Sequence, residues 1–105
     1  INRDEFAMYF SREPIPSRKK GILKVPMFKQ VCVIPFRRDF LLEYNKMEQT
    51  SLEIIESVDM LRITENGIKI KMVYINEENF SVDTKEDLHN VIRLMKEDKL
   101  LKKYL

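Results

Sequence analysis

Residues Phe28–Phe36, FKQVCVIPF, form a nearly continuous apolar run rich in β-branched side chains. Such a run suits a strand buried on both faces. A strand of that kind needs cover above and below, which points to an α/β layer arrangement. Pro35 places its end. Two other segments read as strands. Glu5–Arg12, EFAMYFSR, alternates and is aromatic-rich, and its strand is expected to end at Ser11–Arg12. Ile68–Ile75, IKIKMVYI, sets Ile68, Ile70, Met72 and Tyr74 on one side against Lys69 and Lys71 on the other, the pattern of a solvated face or edge. Between the first two strands runs a long loop, Glu13 to about Met27, holding Pro14, Pro16 and Gly21. Loops of this size in small domains tend to be functional or mobile.

Helical periodicity fills the remainder. Asp39 is expected to cap a short helix, FLLEYNKM, with Phe40, Leu41, Tyr44 and Met47 at helical spacing. The segment QTSLEIIESVDMLRITENG, residues 49–67, predicts the clearest helix. Thr50 and Glu53 have capping-box spacing, Leu52, Ile55, Val58 and Leu61 or Arg62 give the face its period, and Gly67 supplies a left-handed stop. After SVDTKEDL, Leu88, Val91, Ile92 and Met95 stand at amphipathic helical spacing, and the tail KLLKKYL can dock on the body or on a partner. The order strand, strand, helix, helix, strand, helix gives an α/β fold of about three strands and three helices. Its sheet looks unfinished, like half of a larger domain.

At 105 residues the chain has room for one small domain and a modest core. A net charge of +2, from 19 basic and 17 acidic residues, gives nucleic-acid binding no support. The local basic run SRKKGILK, with Arg18, Lys19, Lys20 and Lys24, reads as a solvated loop. Cys32 and His89 are single representatives of their kinds, so neither a disulfide framework nor a structural zinc site can be built. Cys32 is expected to be a buried, inert thiol in a reducing, cytoplasmic setting, and His89 a surface residue. No apolar stretch has the length of a membrane span, so no membrane partner is expected. Only two glycines occur, Gly21 and Gly67, neither in a Gly-rich turn, and hence no backbone cradle for a triphosphate is encoded.

Asp83 admits two readings. Asp83 and Glu86 have capping-box-like spacing, while Thr84 can equally cap with Asp87 near it. A carboxylate where a strand hands over to a helix is also a place for a metal ligand.

Three blocks, FAMYFSREPIP, LEIIESVDMLRITENGIKI and SVDTKEDL, together resemble the CMP-Kdo synthetases, the 3-deoxy-manno-octulosonate cytidylyltransferases. That family shows A-L-Y-F-S-R-x-x-I-P, P-L-E-x-I-E-x-L-E-Q-L-R-x-L-x-x-G and V-D-T-P-E-D-L in this order. The likeness runs from about Glu5 to about Met95 and covers the family's C-terminal half only. It implies the C-terminal half of a Rossmann-like nucleotidyltransferase sandwich. Residues 1–105 would be the sugar-binding and dimerisation half, with the N-terminal nucleotide-binding half absent. The start at Ile1 fits a cut or degraded portion of a longer protein. By resemblance, the parent transfers CMP from CTP to a 2-keto-3-deoxy sugar acid and releases pyrophosphate, as a cytoplasmic homodimer.

The resemblance also implies site residues. Asp83 matches the VDT aspartate that helps hold Mg²⁺, a hard ion that takes one or two carboxylates and substrate oxygens. Arg12 matches the S-R arginine that contacts sugar or phosphate oxygens, its planar fork suiting a carboxylate; a surface ion pair is the other reading. Gln30 stands where most members have His, and Asp59–Met60 where they have Glu-Gln on a sugar-binding helix. Gln30 and Asp59 are thus expected to touch the sugar, in a site altered enough that the acceptor need not be Kdo itself. Glu53 matches the family, although capping explains it more simply. No catalytic side chain is assigned. A non-catalytic binding or assembly module on the same scaffold is the alternative.

Overall fold

The computed structural model describes residues 1–21, 24–76 and 79–104. They form two compact units, residues 1–74 and residues 75–105. The first holds helices α1 (Arg38–Tyr44), α2 (Ser51–Glu56) and α3 (Met60–Glu65). The second holds α4 (Lys85–Glu97) and a 3-10 turn over Leu101–Lys103 in the tail.

The core of the first unit gathers on α3. Met60, Leu61 and Ile63 are buried there, Leu61 completely, together with the Glu53 side chain from α2. Residues 49–67 do not make the single helix that their periodicity predicts. Ser57 adopts the left-handed conformation, φ 52° and ψ 48°, and ends α2. The Val58 N–H then donates to the Glu53 carbonyl at 3.2 Å, closing the helix end as residues after a left-handed position commonly do. Ile55, placed on the expected apolar stripe, lies on α2 before the break and is 74% exposed. Gly67 does stop α3 as its sequence predicts, at φ 72°, with its N–H donating to Thr64 and that of Ile68 to Ile63.

The expectation of three strands is corrected. Among the described residues, pairing is limited to one isolated antiparallel bridge, Phe6 with Lys71. Two backbone hydrogen bonds frame it, from Ala7 N–H to the Ile70 carbonyl at 2.9 Å and from Met72 N–H to the Glu5 carbonyl at 2.8 Å. Local chemistry limits its growth. The Asn2 side chain accepts from the N–H groups of Asp4 and Phe6, and Glu5 sits at φ 62°, so a turn competes with the ladder. Residues 28–36 show no ladder at all, and Val33 is 81% exposed. Alternation and β-branching favour extended backbone, but a strand exists only when a neighbour takes its hydrogen bonds.

Two smaller expectations also shift. Asp39 does not cap α1: Arg37 takes that position, and Asp39 lies in the first turn, where its charge favours the helix N-terminus. Cys32 is exposed, because the run that carries it is not covered. The basic run keeps its solvated character at Arg18, Lys19, Lys20 and Lys24, while residues 22 and 23 within it lie outside the described residues. None of the described helices is long and apolar enough to cross a membrane.

Candidate functional site

The N-terminus of α4 shows which residues cap it. Thr84 is the N-cap residue, extended at φ −125° and ψ 167°, and its hydroxyl accepts from the Asp87 N–H at 3.1 Å. In return, Asp87 Oδ2 accepts from the Thr84 N–H at 2.9 Å, from the Thr84 hydroxyl at 2.7 Å and from the Asp83 N–H at 3.3 Å. These bonds hold the Asp87 carboxyl below its usual value, the Thr84 hydroxyl contributing most. The cap is therefore Thr84 with Asp87, not Asp83 with Glu86. Asp83 lies one residue before it, exposed, and gives only its backbone N–H to the box. Among the described residues, no hydrogen bond or ion pair engages its carboxylate, which leaves all its lone pairs available.

No group of three or more His, Cys, Asp or Glu side chains able to hold a metal occurs among the described residues. That excludes a cage built from the described side chains; a hard ion such as magnesium needs no such cage, since it takes one or two carboxylates and fills its shell with waters and substrate oxygens. Asp83 has the chemistry and the freedom to be one such ligand. Asp87, committed to the cap, does not.

In the first unit, two of the other expected residues, Arg12 and Asp59, meet at one short connection, Ser57–Asp59, between α2 and α3. Arg12 reaches it from the N-terminal segment. Its Nε donates to the Glu56 carbonyl at 2.9 Å and its Nη2 to the Ser57 carbonyl at 2.6 Å. The Glu56 carboxylate completes the contact, accepting from the Arg12 N–H at 2.7 Å and the Tyr9 hydroxyl at 2.9 Å. The Glu56 carboxyl is held below its ordinary range chiefly by that Arg12 N–H, and the Tyr9 phenol is raised by the Glu56 oxygen it faces. Two of the guanidinium N–H groups thus serve backbone carbonyls rather than a surface ion pair.

Asp59 itself is exposed at the head of α3. Its carbonyl accepts from the Arg62 N–H at 3.2 Å and, through a longer contact, from the Tyr44 hydroxyl at 3.4 Å. Behind it lies a charged pair. Arg62 donates through Nε to Glu53 Oε2 at 2.7 Å and through Nη2 to Oε1 at 2.5 Å, a two-toothed grip on a carboxylate only 4% exposed. The Nη1 of Arg62 donates to the Met47 carbonyl at 3.3 Å, and its guanidinium carbon lies 4.7 Å from the centre of the Tyr44 ring. The Arg62 fork holds the Glu53 carboxyl low, although burial opposes it. Burial pushes the Tyr44 phenol up, with Arg62 working the other way. Glu53 also accepts from the Thr50 N–H at 3.3 Å, the carboxylate arm of the expected capping box.

Gln30 is half-buried in the extended run, and its position relative to Asp59 is not fixed by any hydrogen bond among the described residues. Met60, which replaces a polar residue in the family pattern, points into the core at 5% exposure. His89 is exposed on α4. Sequence reasoning missed Glu56 and the partnership of Glu53 with Arg62. The residues of that pair stand nine apart, a spacing that carries no signal within one helix and becomes a contact only because Ser57 folds α3 back.

No family model matches the chain. Curated proteins do. The 3-deoxy-manno-octulosonate cytidylyltransferase of Fusobacterium nucleatum is 42% identical over 100 residues, covering 94% of this chain and 40% of the relative. The enzyme of the same name from Solibacter usitatus is 43% identical over 90 residues, covering 86% and 36% respectively. That of Leptospira interrogans is 40% identical over 99 residues, covering 94% and 39%. All carry the name of a nucleotidyltransferase. The chain is similar over nearly its whole length to these CMP-Kdo synthetases and spans about two-fifths of the length of the curated relatives it matches.

Proposed function

We propose that the chain is the sugar-side portion of a cytidylyltransferase, in which CMP passes from CTP to a 2-keto-3-deoxy sugar acid for cell-surface polysaccharide synthesis. The observation that carries this reading is identity of 40% or more to enzymes of that name, over nearly the whole chain. The Asp83 carboxylate, left free beside a complete cap, supports it. The intact enzyme would be a cytoplasmic homodimer. This chain alone, without a phosphate cradle of its own, would be inactive. A non-catalytic module on the same scaffold finds no support in the relatives' names.

In the reaction, the anomeric hydroxyl of the sugar acid attacks the α-phosphorus of CTP and pyrophosphate leaves. Magnesium, when bound, neutralises the charge that builds on the phosphate oxygens. Asp83 would hold it through a carboxylate oxygen. Asp59, exposed at the head of a pinned helix, would accept hydrogen bonds from sugar hydroxyls. Gln30 would donate or accept through its amide without adding charge. Arg12 would act nearby, its Nε and Nη2 already fixed on the Glu56 and Ser57 carbonyls. Glu-to-Asp and Gln-to-Met changes relative to the family pattern would alter which hydroxyls are recognised, so the acceptor would be Kdo or a related acidic sugar.

Pyrophosphate release by the complete parent enzyme with CTP, Mg²⁺ and a panel of acidic sugars tests the reading. One sugar acid should support turnover, and silence across the panel would sink the transferase assignment. Asp83→Asn should abolish turnover while α4 keeps its helical signal, since Thr84 and Asp87 cap it without Asp83. Retained turnover would refute the metal role.

A further inference from the structure

We infer that Arg62 is a positioning residue for Asp59: it orients the head of α3 by gripping α2 and the end of α1 with its following turn at once. This rests on the reading of Asp59 as a sugar-binding residue.

Asp59 and Arg62 stand three residues apart, neighbours along one side of the helix start. Whatever fixes Arg62 in rotation about the α3 axis also fixes the direction in which the Asp59 side chain leaves the helix. Arg62 is fixed from three directions. The Glu53 carboxylate on α2 takes its Nε and Nη2, the Met47 carbonyl in the segment after α1 takes Nη1, and the Tyr44 ring at the end of α1 lies against its guanidinium. A planar fork is needed for this, because an ammonium presents a point charge and can neither hold both carboxylate oxygens in plane nor stack on a ring. The Tyr44 hydroxyl, 3.4 Å from the Asp59 carbonyl, links the same cluster to the Asp59 backbone.

The arrangement is more than a means of holding two helices together. Met60, Leu61 and Ile63 already bury the apolar side of α3. Those contacts set how close α3 lies to its neighbours, yet non-directional packing tolerates small rotations. Directional bonds to three partners do not. Recognition of sugar hydroxyls depends on hydrogen-bond direction, so a small rotation of Asp59 would be felt as lost acceptor affinity.

A double-mutant cycle on the complete parent enzyme tests the inference. Arg62→Lys keeps the charge opposite Glu53 and removes the fork. It should raise KM for the acceptor sugar by about tenfold, with KM for CTP changed by less than about twofold. On an Asp59→Asn background the same substitution should add no further rise. Tyr44→Phe, which retains the ring under Arg62, should give a milder rise of about two- to threefold, again absent on the Asp59→Asn background; it serves if Arg62→Lys fails to fold. Equal rises on both backgrounds, or no rise in the presence of Asp59, would overturn the positioning role. Asp59→Asn without effect on the acceptor KM would overturn the sugar-binding reading and the inference with it, a result distinguishable from the failure of Arg62 alone.

Discussion

Two helices of this protein begin with the same local device and use it under different conditions. At α2, Thr50 is followed three residues later by Glu53; at α4, Thr84 is followed three residues later by Asp87. Asp87 spends its carboxylate locally, on Thr84 and the Asp83 N–H, near solvent. Glu53 is buried and shares its carboxylate between the Thr50 N–H and the Arg62 fork from another helix. A capping box read from sequence therefore reports where a helix starts but not what the carboxylate holds up. Burial and a second partner turn one from an end-stop into a joint.

The largest expected effect breaks the joint. Glu53→Gln leaves Arg62 without its counter-charge and should lower the unfolding midpoint of the first unit by roughly 10 °C, whereas Asp87→Asn should change it by ~2 °C or less. Thermal scans by circular dichroism compare the two, and equal shifts would erase the distinction. Acid sharpens it next. Both carboxyls lie below their ordinary values in the folded chain, so each contributes stability that is complete above its unfolded pKa and lost as pH falls through the lower folded one. Glu53→Gln should flatten the pH dependence of the first unit below about pH 5, and Asp87→Asn only the fraying of the first turn of α4. Amide exchange resolves the two segments. The smallest effect concerns the connection itself. Ser57→Gly removes the side-chain penalty of the left-handed position and should stabilise by about 0.5–1 kcal/mol; a destabilised variant would show that the Ser57 side chain contributes something its conformation does not explain.

Helix α4 was legible because every signal for it is local: Thr84 and Asp87 at its head, and Leu88, Val91, Ile92 and Met95 along one side. Gly67 was legible for the same reason, as a residue that accepts φ 72° without strain. The break at Ser57 was not, because serine carries no preference for that conformation and the apolar period runs straight through it. Strand pairing was overestimated for a related cause. Apolar and β-branched runs at residues 28–36 and 68–75 specify extended backbone, while a ladder depends on a neighbour elsewhere. Of the site, the family blocks indicated Arg12, Asp59 and Asp83, but the grip of Arg62 on Glu53 depends on a turn that no spacing rule foretells.

Val33 and Val73, each 81% exposed, have a consequence for how the chain behaves in concentrated solution. Both lie in stretches well suited to pairing that, among the described residues, carry no ladder beyond the Phe6–Lys71 bridge, and such backbone tends to find partners in another molecule. Lys29 and Arg37 stand on either side of the first stretch, and Lys69 lies within the second, like charges that oppose such stacking. Salt weakens that repulsion, so added salt should favour association through these stretches.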